Sequence, residues 1–317
     1  WHLVVLDEAQ NIKNASTHAA QVVSQLQARH RLCLSGTPME NHLGEIWSLF
    51  HFLMPGFLGS QQRFKEVFRT PIEKLGDSTR MAQLRARITP FMLRRTKALV
   101  AGELPPKVET VMPVEMTGAQ ADLYETIRLG MEKTVREALE SKGLATSQIT
   151  ILDALLKLRQ VCCHPQLVPL DAARKVKTSA KLEQLMALLP EMLAEGRRIL
   201  LFSQFTSMLT LIEAELKKRN LPWVKLTGQS QKRDAIIDQF TSGQVPLFLI
   251  SLKAGGVGLN LPQADTAIHY DPWWNPAVEA QATDRAHRIG QTQSVWVVKL
   301  VAQGTIEERI LALQERK

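Results

Sequence analysis

RILLFSQFTSMLTLIEAELKKRN, residues 198–220, is an apolar run followed by an amphipathic one. Ile199 to Phe202 carry no polar side chain, which suits a strand covered on both faces. Met208, Leu211, Ile212 and Leu216 then recur at helical spacing, while Glu213, Lys217 and Lys218 point the other way. A strand that feeds straight into a helix is the repeating unit of a parallel sheet. Outward from it, WVKLTG, SQKRDAIIDQF, PLFLIS, TAIHYD, NPAVEAQATDRAHRIGQ and SVWVVKLV continue the alternation. Residues 198–303 therefore read as an α/β layer, a parallel sheet flanked by helices.

Upstream, LVVLDE and RLCLSGTP are two more strands of this kind, followed by helical segments around EIWSLFHFL and QRFKEVF. Val4, Val5 and Leu6 after Leu3 read as a buried strand, and two strands are part of a sheet. GELPPKVE, 102–109, has two prolines and reads as an extended interdomain linker. Residues 116–162 are helical and amphipathic, ending at LRQVCCHP, where Pro165 stops the helix. No internal repeat or low-complexity tract is present.

The chain has 317 residues, 45% of them hydrophobic, enough for a large core and more than one domain. Its 39 Lys and Arg against 31 Asp and Glu give +8 and a pI of about 9.5, a balance that favours a polyanionic partner. Three cysteines, with Cys162 and Cys163 adjacent, form neither a disulfide framework nor a CxxC zinc spacing. That usage fits a reducing compartment. Adjacent Cys162, Cys163 and His164 cannot easily converge on one tetrahedral ion, so core packing is the expectation there. No apolar run reaches transmembrane length, and no signal peptide is recognisable.

Asp7 and Glu8 stand at the carboxyl end of the first strand, where parallel sheets place chemistry; they suit a magnesium ligand and a general base, or a helix whose N-cap is Asp7. LSGTPMEN, 34–41, sets Ser35, Gly36 and Thr37 in a turn near them, either a sensor of a terminal phosphate or an ordinary strand exit. ISLKAGGVGLNL, 250–261, offers Gly255, Gly256 and Gly258 after a strand, where backbone amides can approach a phosphate. In QATDRAHRIGQ, 281–291, a helix would put Arg285 and Arg288 on one face, either to neutralise a phosphoryl group or as a solvated basic surface. YDPWWNP, 270–276, sets Trp273 beside Trp274, for stacking or for structure.

In this order the motifs resemble the Swi/Snf-type helicase-like ATPases of helicase superfamily 2. DEAQ looks like motif II, LSGTPMEN motif III, ILLFSQF motif IV, ISLKAGGVGLNL motif V and QATDRAHRIGQ motif VI. FMLRRTK at 91–97, LPPK at 104–107, LRQVCCHP at 158–165 and GTIEERI at 304–310 are similar to this family in particular. The likeness covers nearly the whole chain and leans toward compact bacterial members.

The resemblance implies two RecA-like lobes of P-loop NTPase type, the first incomplete, with a helical protrusion on the second. It divides the chain into the distal part of lobe one at 1–97, a linker at 98–112, the protrusion at 113–175, lobe two at 176–303 and a C-terminal brace helix at 304–317. ATP and magnesium are the implied cofactors. Asp7 would orient the metal and Glu8 activate the attacking water. Gln281, Arg285 and Arg288 match motif VI, with Arg288 as arginine finger. Gly258 and Asn260 would lie near the ribose.

For Ser203, Gln204, Ser251, Lys253, Gly255 and Gly256 the resemblance implies DNA contact or coupling to it, a group that also takes in Ser35, Gly36, Thr37 and Trp274. The implied activity is DNA-dependent ATP hydrolysis that drives translocation on double-stranded DNA without strand separation. The outcome would be remodelling of RNA polymerase or another DNA-bound protein by a monomeric motor, at the nucleoid in a bacterium or in the nucleus of a eukaryote. The chain has no GxxxxGK[ST] loop and no Gly-Lys dipeptide. A P-loop is therefore expected upstream in a longer parent, and the fragment alone is expected to be inactive. The alternatives are a non-catalytic DNA-binding module and, disfavoured by RRTK and RIGQ, an RNA helicase.

Overall fold

The computed structural model describes residues 1–316 apart from 37–38, 40–41, 96–101 and 256–257, with backbone only at 142, 144–146 and 255. The chain divides into two compact units, 1–100 and 101–317.

In the first unit, β1 (Leu3–Leu6) and β2 (His30–Cys33) pair in parallel, Leu3 opposite His30 and Leu6 opposite Cys33. Side chains alternate across a strand. Val4 and Leu6 pack with Ala20 of α1 (His18–Ser24) and with Leu49 and Phe52 of α2 (Gly44–Leu53). Leu3 and Val5 lie on the other face and are 51% and 45% exposed. The sequence expectation of a buried strand is corrected to a strand covered on one side. A second cluster gathers Phe50 of α2, Phe64 of α3 (Gln61–Phe64), Phe68 of the π-helical turn Lys65–Arg69 that leads into α4 (Thr70–Leu75), and Leu84 of α5 (Ser78–Ile88).

The second unit is built on six parallel strands among the described residues: β3 (Lys107–Val114), β4 (Ile199–Ser203), β5 (Val224–Leu226), β6 (Leu247–Ser251), β7 (Thr266–His269) and β8 (Val295–Ala302). Their order is β3-β8-β7-β4-β6-β5. Ile199 and Leu201 point into a core with helices α7 (Ala180–Ala194) and α8 (Thr206–Lys218). Leu200 and Phe202 point into the opposite core, with Phe240 of α9 (Arg233–Thr241) and Ala282 of α10 (Pro276–Thr283). The apolar run of β4 thus reflects helices on both faces, as expected from its sequence.

β3 corrects the linker. The last six residues of the stretch 98–112, from Lys107 to Met112, belong to a strand registered on β8 from Lys107 opposite Val295 to Val114 opposite Ala302. At the edge of the sheet its Pro113 costs little pairing, and its outer side needs no apolar cover, so the sequence reads as a connector.

Residues Gly118–Cys163 form a helical hairpin, α6. A straight helix would separate Gln120 from Val161 by about 60 Å, yet the Gln120 side chain donates to the Val161 carbonyl at 2.9 Å. The reversal falls at Gly143, whose φ of 72° and ψ of 172° only glycine adopts readily. Leu123, Tyr124 and Ile127 meet Leu158, Val161 and Cys162 at the hairpin base. The last helix, α11 (Ile306–Glu315), is tied there by the Ile306 amide, which donates to the Tyr124 hydroxyl at 2.9 Å.

Candidate functional site

In the first unit, the chain leaving β1 is pinned to β2 by Leu34 donating to the Leu6 carbonyl at 2.8 Å and Ala9 donating to the Leu34 carbonyl at 2.9 Å. Between those bonds Glu8 takes the left-handed conformation, φ 49° and ψ 48°, at a cost of about 1–2 kcal/mol for a residue with a Cβ. Asp7 does not cap an α-helix. Its Oδ1 accepts the Glu8 amide at 2.9 Å, and the turn that follows, Ala9–Ile12, is a short 3₁₀ helix. Asp7 remains exposed to solvent at the strand end, and Glu8 is half-buried.

A residue not singled out from the sequence links these acids to the next motif. Gln10 Nε2 donates to Glu8 Oε2 at 2.5 Å, and the Ser35 hydroxyl donates to Gln10 Oε1 at 2.7 Å. The signal was present in the string DEAQ, whose Gln falls two residues after the Glu. Gly36 follows Ser35 in a bend, and Thr37 lies outside the described residues.

In the second unit, Arg285 and Arg288 converge on one acceptor. Their Nη1 atoms donate to the Leu259 carbonyl at 3.4 and 2.9 Å. They do so from turns, which corrects the expected helix over 281–291: α10 ends at Thr283 and the chain tightens through Arg285 to Ala282, Ala286 to Thr283 and Arg288 to Ala286. Beyond the helix end the Arg285 carbonyl accepts the Leu261 amide at 2.9 Å, which holds the segment against the 258–261 loop. Gly258 has φ +59°, and a Cβ built there would meet nothing within 4 Å, so the space beside Gly258 is open. Asn260 and Lys253 are exposed, Gln281 on α10 is half-buried and Ser251 is buried at the end of β6. Gly255 closes the short helix Leu252–Gly255, and Gly256 lies outside the described residues.

The carboxyl ends of β4 and β7 meet at the sheet's switch point, since β4 connects toward β5 and β7 connects the other way, to β8. Asp271 sits there, 2% exposed. Its Oδ1 accepts the Ser203 hydroxyl at 2.5 Å and its Oδ2 the Gln204 amide at 3.2 Å. Burial pushes the Asp271 carboxyl up, against the Ser203 hydrogen bond and the charges of Lys181 and Arg159. Trp273 and Trp274 are both half-buried. Trp273 is held by α10 and α11: its amide donates to Glu279 Oε2 at 3.2 Å, and its carbonyl accepts from Gln314.

Cys162 and Cys163 are fully buried in the hairpin base and the sheet core, and burial pushes both thiols up. His164 Nδ1 accepts the Gln166 amide at 3.1 Å.

Residues 1–167 match the model of the SNF2-related domain. The chain belongs to the SNF2-related family. Residues 180–290 match the helicase conserved C-terminal domain. The whole chain aligns with YwqA of Bacillus subtilis, whose name proposes an ATP-dependent helicase or translocase, at 42% identity and 35% of that protein's length. It aligns with the human SWI/SNF-related matrix-associated actin-dependent regulator of chromatin subfamily A member 1 at 36% identity and 31% of its length. The chain thus spans about a third of these SNF2-related proteins. Among solved structures, the Sulfolobus solfataricus SWI2/SNF2 ATPase core in complex with dsDNA is similar at a TM-score of 0.56 and 38% identity, covering 99% of this chain and 66% of that one. The parallel sheets flanked by helices are those of RecA-like ATPase lobes.

Proposed function

We propose that this chain is part of an ATP-dependent translocase on double-stranded DNA that remodels protein–DNA complexes without separating the strands. The observation that carries the reading is the pair Arg285 and Arg288, drawn by one carbonyl beside an open glycine-bearing loop. Two guanidiniums fixed together are suited to a nucleotide's phosphates, and an arginine of this kind is worth about 10³- to 10⁵-fold in rate. The second support is the likeness to an ATPase core whose title names duplex DNA.

The residues present fit ATP and magnesium. Magnesium is held by one or two carboxylates together with water and phosphate oxygens, so the exposed Asp7 carboxylate suffices as its protein ligand. Bound magnesium would supply charge neutralisation at the phosphates. Glu8, half-buried and oriented by Gln10, accepts the proton of the attacking water. Gly258 and Asn260 border the nucleotide, and Gln281 lies on the helix leading to the arginines. Ser203, Gln204, Ser251, Lys253, Gly255 and Trp274 stand at strand ends or in the segments that follow them and meet or sense the DNA backbone, while Ser35 and Gly36 pass the state of Glu8 onward.

The chain by itself contains no GxxxxGK[ST] loop, which favours a second reading for these 317 residues in isolation, a DNA-binding module without turnover. The test is ATP hydrolysis by the full-length protein with duplex DNA, with RNA and with neither. Stimulation by duplex DNA above RNA supports the translocase. Equal rates in all three would leave the binding module.

A further inference from the structure

Arg159 lies in α6, outside every motif assigned to nucleotide or DNA, and yet is 5% exposed at the switch point of the sheet. Its guanidinium carbon lies 5.0 Å from the Trp273 ring centroid, 5.2 Å from that of Trp274 and 5.9 Å from that of Phe205. Its Nη2 donates to the Pro272 carbonyl at 3.3 Å. Phe205 belongs to the loop after β4, and Trp273 and Trp274 to the loop after β7. The side chain of one helix therefore touches both loops at the crevice where an open α/β sheet takes its ligand. The planar, delocalised guanidinium can stack on several rings and still direct hydrogen bonds in its plane, which an ammonium cannot do.

The two loops also meet directly, since Asp271 follows β7 whereas Ser203 and Gln204 stand at the end of β4. Asp271 holds Ser203 and Gln204, whereas Glu279 and Gln314 hold Trp273. The hairpin end carrying Arg159 is itself fixed: the Cys163 carbonyl accepts the Ser179 hydroxyl at 2.7 Å and the Tyr270 hydroxyl at 2.8 Å.

We propose that Arg159 is a positioning residue that locks the 203–205 and 272–274 loops to the helical hairpin, so that both loops present one preformed surface to the DNA backbone. Its role toward DNA rests on the translocase reading; the clamp rests on the geometry alone. Arg159 touches no substrate and acts through the loops.

Because Arg159→Ala leaves Asp271 with one cation fewer and can unfold the protein, the decisive variant is Arg159→Lys in the full-length protein, which keeps the charge and loses the fork. Three quantities are measured: melting temperature, hydrogen exchange at the Gln204, Phe205 and Trp273 amides, and affinity for a labelled duplex. The proposal expects an unchanged melting temperature, exchange at least about tenfold faster at those amides than in wild type, and duplex affinity weakened about tenfold, with Phe205→Leu giving a smaller change in the same direction. Unchanged exchange and affinity overturn it. So does a fall in melting temperature that accounts for both changes, which would make Arg159 a folding residue. Faster exchange in a protein whose wild type ignores duplex DNA upholds the clamp and removes the translocase reading instead.

Discussion

Glu8 and Ser35 stand at the exits of two neighbouring strands and are joined through one side chain, the Gln10 amide, whose nitrogen donates to Glu8 and whose oxygen accepts from Ser35. The amide has one orientation that satisfies both neighbours. A change in the charge or position of Glu8 is therefore felt at Ser35, and a displaced Ser35 reorients Glu8.

Gln10→Ala in the full-length protein breaks this relay while leaving Asp7 and Glu8 in place. DNA-stimulated ATP turnover is expected to fall about 10- to 100-fold, the size of effect that a misplaced catalytic group produces. Melting should shift little. Steady-state turnover at saturating duplex, with thermal melting alongside, checks both parts.

The acid limb of stability should carry the mark of His269. This residue is 1% exposed, its Nε2 lies 2.9 Å from the Thr283 hydroxyl, and burial, aided by the Lys299 charge, lowers its pKa to about 3. The folded state then binds fewer protons than the unfolded chain below the ordinary value of 6.5. Its contribution is fully present above pH 6.5 and is lost as the pH falls toward 3, about 2 kcal/mol by pH 5. Urea unfolding at pH 8 and pH 5 should show that slope in the wild type and a flatter one in His269→Gln.

The parallel sheet of the second unit and the helices flanking it were legible because Ile199 to Phe202, Leu247 to Ile250 and their neighbours carry continuous apolar runs. Two features were not. β3 hides because an edge strand with Pro113 needs neither a buried pattern nor full pairing. The end of α10 hides because no glycine or proline marks it, and the bond from the Leu261 amide to the Arg285 carbonyl that holds the following turns joins residues distant in sequence. The acids, arginines and strand-end serines stand in strings that resemble the family's motifs. Gln10, Asp271 and Arg159 were not singled out, since what they do is defined by partners distant in sequence or by a turn geometry that the string does not display.

Lys181 and Glu307 form an ion pair with both side chains at most 1% exposed, Nζ to Oε2 at 2.5 Å, and Lys181 also donates to the Tyr270 carbonyl at 2.8 Å. Lys181→Met should destabilise the protein by about 3–5 kcal/mol, because Glu307 is left charged and buried. Lys181→Met with Glu307→Gln should recover most of that loss, since the amide oxygen can still accept the Ala302 amide proton that Glu307 accepts at 2.8 Å. Chemical denaturation of the single and double variants measures the difference.

The proposed action of Arg288 on the phosphates of ATP is what a DNA-stimulated motor depends on most. It is tested most directly by ATP turnover of the full-length protein at saturating duplex DNA, wild type against Arg288→Ala, with duplex binding measured on the same samples. Turnover should fall about 10³-fold or more with duplex affinity retained. Turnover within a few-fold of wild type in the Arg288→Ala protein would contradict it.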